Sequence, residues 1–293
     1  MATLVQSGGQ SGGATRGLRR GRRGRRVAMV LAGLFYSLWV LVPLYWIIAT
    51  SLRNAVEFLR EPTLFPTTVT LENYHSILYE TNFLLYIKNS LEVAFVTTAL
   101  SMIFGTMAAY AISRLRFRGR GIVARAIVVS YLVPASLLFI ALFEVLTELN
   151  LTNQDTGLML VYLSATLPFC TWLMIGYFRT IPTELEEAAL VDGCTRLRAL
   201  VSIILPLMLP ALVVVTLFSF TLSWNEFLYA LVFISSDSQK TFTVGLIGLI
   251  QGDTVPYSLM MAASVLGLVP PLLVYVISQR WVVSGLAAGS IKG

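Results

Sequence analysis

Charge is what this sequence has least of: only 12% of its 293 residues are Asp, Glu, Lys or Arg, against about 25% in an ordinary soluble domain. A surface of that size facing water needs more, so a solvent other than water must cover much of the chain. Histidine is almost missing. His75 stands alone, with no second histidine and no neighbouring cysteine, which excludes the ligand sets of zinc enzymes and predicts no metal site; it reads as a polar residue on a short surface helix. Two cysteines cannot build a disulfide framework. Cys170 falls in an apolar stretch and Cys194 in a polar one, and neither is assigned a redox role. Lys88, Lys240 and Lys292 follow Ile87, Gln239 and Ile291, so no glycine-lysine pair exists to hold a nucleotide phosphate, and the chain has no P-loop. No histidine pair, metal-ligand cluster or serine with a suitable base is evident. The chain is therefore predicted not to be an enzyme, and no catalytic residue is assigned.

What is abundant is apolar. Hydrophobic residues make up 56% of the chain and the mean hydropathy is +0.77. Six stretches are long enough to cross a hydrocarbon core of about 30 Å: 27–50, 86–112, 122–146, 157–178, 208–233 and 258–280. The fold class predicted is all-α, a polytopic membrane protein with six transmembrane helices over 27–280. The first stretch far exceeds the apolar core of a secretion signal and no clear cleavage site follows it, so it is expected to stay attached.

Residues 1–26 form a Gly/Ser/Gln stretch followed by an Arg/Gly run, Arg16 to Arg26, and are expected to be an unstructured tail. Such a tail is compatible with nucleic acid. Placed directly before an apolar span, it more simply holds the N-terminus inside against anionic lipid, so membrane lipid and not nucleic acid is the partner expected. With that end inside, every Lys and Arg of the 21 falls in inner segments except Arg53, Arg60, Lys88 and Lys240. Both termini, including a C-terminal tail at 281–293, are therefore expected in the cytoplasm.

The outer segment 51–85 contains Pro62 and Pro66, then Thr70 as a cap for a short helix Leu71 to Tyr79, and Asn82 as a cap for the next span. It is too small to capture a solute alone. Prolines at 43, 134, 168, 206, 210, 270 and 271 lie in or beside spans, where packed neighbours can satisfy freed carbonyls.

The informative stretch is the inner loop 179–206. Thr183 and Glu186 form a candidate capping box, and Glu184, Glu186 and Glu187 place negative charge at the positive end of a helix dipole. Gly193 suits the helix end, and Thr195 is placed to cap a second helix running to Leu205, with Leu197, Leu200, Val201 and Ile204 on one apolar side. Ala188 and Ala189 leave room for another backbone. The pattern predicts a helix-turn-helix at the membrane surface that serves either as a docking element or as an ordinary amphipathic loop.

Glu187-Ala188-Ala189, three residues, Gly193, nine residues, then Ile203-Ile204-Leu205-Pro206 resembles the full EAA signature of ABC importer permeases. Trp224-Asn225-Glu226-Phe227 in the fifth span, Asn89-Ser90 in the second and the tail Gly285 to Gly293 resemble the carbohydrate-uptake branch. Within it they look most like the smaller six-span partner in maltose-type and glycerol-3-phosphate-type systems. The resemblance implies a type I ABC importer permease fold. It makes 179–206 the coupling loop, with Glu187, Ala188, Ala189, Asp192, Gly193, Ile203, Leu205 and Pro206 as ATPase-coupling residues. It also implies a second, non-identical permease subunit, two ATPase subunits carrying the ATP and Mg that this chain does not hold, an extracytoplasmic solute-binding protein, and residence in the inner membrane.

Trp224, Asn225, Glu226 and Phe227 are candidates for the substrate pathway, since an indole face and neighbouring hydrogen-bonding groups suit a sugar; the same residues could instead fasten the fifth span to its neighbours. Lys88 with Glu92, and Glu144 with Glu148, read as interfacial groups. A sugar or oligosaccharide is the expected solute, with glycerol-3-phosphate or a glycerophosphodiester as the alternative. Phosphate should attract cations into the spans, and these offer almost none. A gradient-driven secondary transporter is the competing class, but neither an internal repeat nor a centred acid pair supports it.

Overall fold

The computed structural model describes residues 14–54, 63–250 and 255–290, and the described residues contain helices and no strand. The expected positions Arg60, Pro62 and 291–293 lie outside them. Helix α1 (Ala14–Ser51) is followed by a short α2 (Glu72–Tyr79), then α3 (Phe83–Arg114), α4 (Arg120–Leu132), α5 (Ala135–Glu148) and α6 (Asp155–Phe178). A hairpin of α7 (Glu184–Val191) and α8 (Arg196–Leu207) leads into α9 (Leu209–Trp224). Short α10 (Leu228–Phe233) and α11 (Phe242–Ile247) precede α12 (Tyr257–Ser290).

Four continuous helices, Val27–Ser51, Phe83–Arg114, Asp155–Phe178 and Tyr257–Trp281, are long and apolar enough to cross a membrane; two bent pairs bring the number to six if each is one span. The expected third span, 122–146, is not straight. Arg120–Leu132 and Ser136–Glu148 meet at 102°, because the residue before a proline is pushed out of the helical region: Val133 is extended (φ −70, ψ 123) and Pro134 caps the next helix. The expected fifth span, 208–233, also breaks. Helix α9 ends at Trp224 and meets α8 at 82° at its other end. Pro210 sits in the first turn of α9, where its missing N–H costs nothing. Pro43, Pro168, Pro270 and Pro271 interrupt no helix.

Two expected tails are helical over their described residues. Helix α1 begins at Ala14, inside the segment 1–26 whose composition predicts no structure, and α12 continues past 281 to Ser290. An established helix extends without a new nucleation cost; the arginines of 14–26 favour this, while Gly17, Gly21 and Gly24 oppose it.

The core centres on α3 and α6, which pack together more extensively than any other pair, with α9 against both. Small residues let them approach. A Cβ on Gly105 would lie 2.9 Å from Cys170 Cβ, Ser101 and Thr166 hydroxyls meet at 2.6 Å, and Cys170 Sγ lies 2.8 Å from Ser219 Oγ. Hydroxyl contacts between closely spaced helices are the ordinary means of helix association in lipid. By contrast, the apolar side chains of α1 from Val27 to Leu44 are exposed, a surface that lipid or another apolar chain must cover.

Candidate functional site

The 184–207 hairpin lies at one end of the bundle and closes on an apolar cluster containing Ala109, Met174, Phe178, Leu200, Ile204 and Met208. Helix α7 ends at Val191, and Gly193 takes a left-handed conformation (φ 86). Cys194 N–H donates to Ala189 O at 2.9 Å and Gly193 N–H to Leu190 O at 3.1 Å, the paired bonds of a Schellman stop. Thr195 then caps α8, its Oγ1 accepting from Arg198 N–H at 3.3 Å. Glycine at the turn and threonine at the second cap thus sit where their residue types and spacing predict.

The capping box does not form. Thr183 is helical and makes no side-chain cap bond, and Glu186 turns inward instead, only 5% exposed. Its carboxylate accepts from Tyr110 Oη at 2.5 Å and lies 3.5 Å from Arg114 Nε. The Tyr110 hydroxyl and the Arg114 guanidinium of α3 outcompete the Thr183 backbone N–H for this acid.

The remaining signature residues divide by direction. Glu187, Ala188, Asp192 and Gly193 are exposed, whereas Ala189 is buried against its own chain. The apolar side expected on the second helix splits as well. Leu200 and Ile204 are buried, while Leu197 and Val201 are exposed and join Leu185 and Val191 as outward apolar groups. Ile203 and Leu205 are half-buried and Pro206 exposed. Residues Leu200–Ile204 adopt a π-turn just before Pro206, the widening expected where a proline ring must be accommodated within a helix.

At the far end of α9, Trp224 is 2% exposed. Its ring stacks on Phe242 at 4.6 Å and on Phe220 at 5.8 Å, and its Nε1 donates to Gly267 O at 3.2 Å. Of the two roles expected for it, the geometry here is that of fastening: the indole joins α9 to α11 and α12. Glu226 accepts backbone N–H bonds from Tyr229 at 2.9 Å and Ala230 at 3.2 Å, satisfying first-turn donors of α10. Thr243 Oγ1 donates to its carbonyl at 2.9 Å. Asn225 is exposed and Phe227 half-buried.

Asn89 and Ser90 act on the same region. Asn89 Nδ2 donates to Ser238 O at 2.9 Å and Lys240 O at 3.1 Å, and Ser90 Oγ accepts Phe242 N–H at 2.8 Å. Asn82 does not cap α3; its amide donates to Asp237 Oδ2 at 2.8 Å. Lys240, then Asn82 and Tyr86, hold the Asp237 carboxyl down to about 2, so it stays ionised at neutral pH. Thr70 does serve α2, accepting Glu72 N–H at 3.1 Å. Lys88 and Glu92 are not among the ion pairs of the described residues. Sequence reasoning missed Tyr110 and Arg114; an arginine closing a span whose other residues are uncharged after Glu92 was the available signal.

Among the described residues, a helical bundle with apolar outer faces and two broken spans defines a polytopic membrane protein. Residues 101–287 match the family described as binding-protein-dependent transport system inner membrane component, and the chain belongs to that family: it is a permease subunit of an ABC importer. It is 40% identical over 255 residues to the sulfoquinovosyl glycerol transport system permease protein SmoH of Agrobacterium fabrum, covering 86% of this chain and 89% of the relative. It is 34% identical over 273 residues to the trehalose/maltose transport system permease protein MalG of Thermococcus litoralis, covering 92% and 98%. Among solved structures it resembles a chain of a bacterial ABC transporter involved in the import of the acidic polysaccharide alginate, with a TM-score of 0.76 and 25% identity over 89% of this chain and 97% of that one.

Proposed function

We propose that this permease carries a sugar or oligosaccharide into the cytoplasm, paired with a second, non-identical permease and driven by two separate ATPase subunits that hold ATP and Mg. A solute-binding protein delivers the solute from outside. Relatives named for trehalose, maltose and diacetylchitobiose uptake support a carbohydrate substrate. Both termini and the 184–207 hairpin face the cytoplasm in this reading, in keeping with the Lys/Arg bias.

The observation that carries the reading is the outer face of the hairpin. Glu187, Ala188, Asp192 and Gly193 are exposed beside outward-facing Leu185, Val191, Leu197 and Val201, on a turn stopped by a left-handed glycine. Four outward apolar side chains suit the buried centre of a contact with a partner protein, and the exposed acids suit its polar rim. The inward Ala189, with Leu205 at the root of the hairpin, supports this face from behind. In the substrate pathway, Asn225 is the available polar contact, with Glu226 and Phe227 beside it and Trp224 holding their backbone in place.

The test is reconstitution in proteoliposomes with the ATPase, second permease and binding protein. Labelled oligosaccharide should accumulate only with ATP inside. Gly193→Leu should lower solute-stimulated hydrolysis several-fold while the complex still assembles, because a left-handed backbone costs a side-chain-bearing residue about 1–2 kcal/mol. No atom lies within 4 Å of its Cβ position, so strain and not crowding is the cause. Uptake driven by an ion gradient in liposomes holding this chain alone would refute the assignment.

A further inference from the structure

We propose that Tyr110 and Arg114, which lie outside the signature, are positioning residues that carry movement of the hairpin into α3 and α6, with Glu186 as the hairpin's internal anchor. The proposal rests on the reading of the hairpin as the ATPase contact.

Of the three acids in the first turn of α7, Glu184 and Glu187 are exposed and only Glu186 is buried. Tyr110 and Arg114 are one turn apart on α3 and both reach its carboxylate. Arg114 also donates from Nη2 to Phe178 O at 3.1 Å and Ile181 O at 2.6 Å, carbonyls at and just beyond the end of α6, the first of which also takes Ile181 N–H at 3.3 Å. One guanidinium therefore holds the ends of α3 and α6 and the start of α7. The surroundings are apolar, with the Tyr110 and Phe178 rings 5.9 Å apart and both residues in the cluster with Leu200 and Ile204.

Stability alone does not explain charges in such a place. Desolvation offsets most of the attraction in a buried pair, and apolar side chains of similar volume commonly serve as well. What the pair adds is direction. Apolar contacts slide at little cost, whereas a carboxylate bonded by Tyr110 and a guanidinium whose Nη2 donates to two carbonyls resist displacement along those bonds. Arg114 Nε faces Glu186 Oε2 at 3.5 Å without an aligned hydrogen bond, so the contact has room to tighten as α7 is pushed toward α3. Because α3 and α6 form the most extensive helix pair of the bundle, a force on Arg114 is delivered to both.

The experiment uses the reconstituted complex and reads two quantities: stimulation of ATP hydrolysis by the solute-loaded binding protein, and ATP hydrolysed per solute taken up. Arg114→Met combined with Glu186→Met removes both charges at similar volume, and Tyr110→Phe removes a single hydrogen bond. We expect the double variant to co-purify with its partners yet lose stimulation about tenfold, within the usual range of coupling between sites, with more ATP consumed per solute. Tyr110→Phe should shift the same ratio less. Arg114→Lys, which keeps the charge but has one nitrogen where Arg114 uses Nη2 for Phe178 and Ile181 and Nε for Glu186, should fall between the double variant and the parent. If the double variant fails to assemble, Tyr110→Phe decides. Parent values of both quantities in whichever variant assembles would overturn the proposal. Gly193→Leu and Val191→Asp on the outer face separate the two readings. If neither changes stimulation, the hairpin is not the ATPase contact; if both do and the relay variants do not, only the relay is wrong.

Discussion

Trp224 and Asn225 are neighbours in sequence with opposite surroundings. The indole is stacked between Phe220 and Phe242 and bonded to Gly267 O, while the amide is exposed. Trp224→Ala should therefore cost about 3–5 kcal/mol, as for other buried aromatics, and lower the melting temperature of the solubilised protein. Asn225→Ala should change stability by no more than about 0.5 kcal/mol, and any effect should fall on the apparent affinity for solute in uptake assays. Equal melting temperatures for the two variants would contradict the packing described. Residue types alone could not separate them, since indole, amide and carboxylate suit a sugar site and a helix junction equally well. The same holds for Glu186 and Glu187, one residue apart, where the turn of α7 sends one carboxylate inward to Arg114 and the other out.

At the scale of elements, the α3–α6 seam sets what can be substituted. Gly105→Leu would drive a side chain into Cys170 and Thr171 backbone, with the first contact at 2.9 Å already too close. Overpacking of this kind costs about 1–3 kcal/mol and should reduce the yield of folded protein. Gly176→Leu on the same α6, where nothing lies within 4 Å, should leave yield and melting temperature near the parent's; an equal loss for both would show that the seam is misplaced. Helix ends followed legible chemistry where the deciding group was local, as at Gly193 and Thr195. They escaped it where a distant partner intervened, as with Asn82 drawn to Asp237 and Glu186 drawn to Arg114. The bend at Pro134 belongs to the first kind, since Val133 before the proline is extended. Seven prolines lie in or beside the apolar stretches, and their presence alone does not decide which of them redirect a helix.

For the whole molecule, the two native cysteines report the orientation. Cys170 is buried among α3, α6 and α9, whereas Cys194 is partly exposed at the hairpin turn. A membrane-impermeant maleimide should label Cys194 in inside-out vesicles and leave it unlabelled in right-side-out vesicles, with Cys194→Ser abolishing the signal. Labelling from outside would invert the proposed topology. In the assembled importer the ATPase should protect the same thiol, since the turn lies within the proposed contact face.

Composition and apolar run length alone determined that this is an all-helical membrane protein. Unpaired backbone groups are too costly in hydrocarbon for anything but helices or closed barrels, and continuous apolar runs of more than twenty residues lack the alternation of barrel strands. The spaced Glu187, Ala188, Ala189, Gly193 and Ile203 to Pro206 pattern likewise marked the hairpin before any coordinates, because a left-handed turn and a capped helix are written in local residues. Only the tertiary structure decided that Trp224 and Glu226 brace a broken span, that Ala189 faces inward, and that Tyr110 and Arg114 grip Glu186. Those outcomes depend on which side chains from far along the chain arrive at the same place. Contacts such as Tyr110 to Glu186 or Asn89 to Ser238 join residues 76 and 149 positions apart, and no local spacing encodes which partner wins.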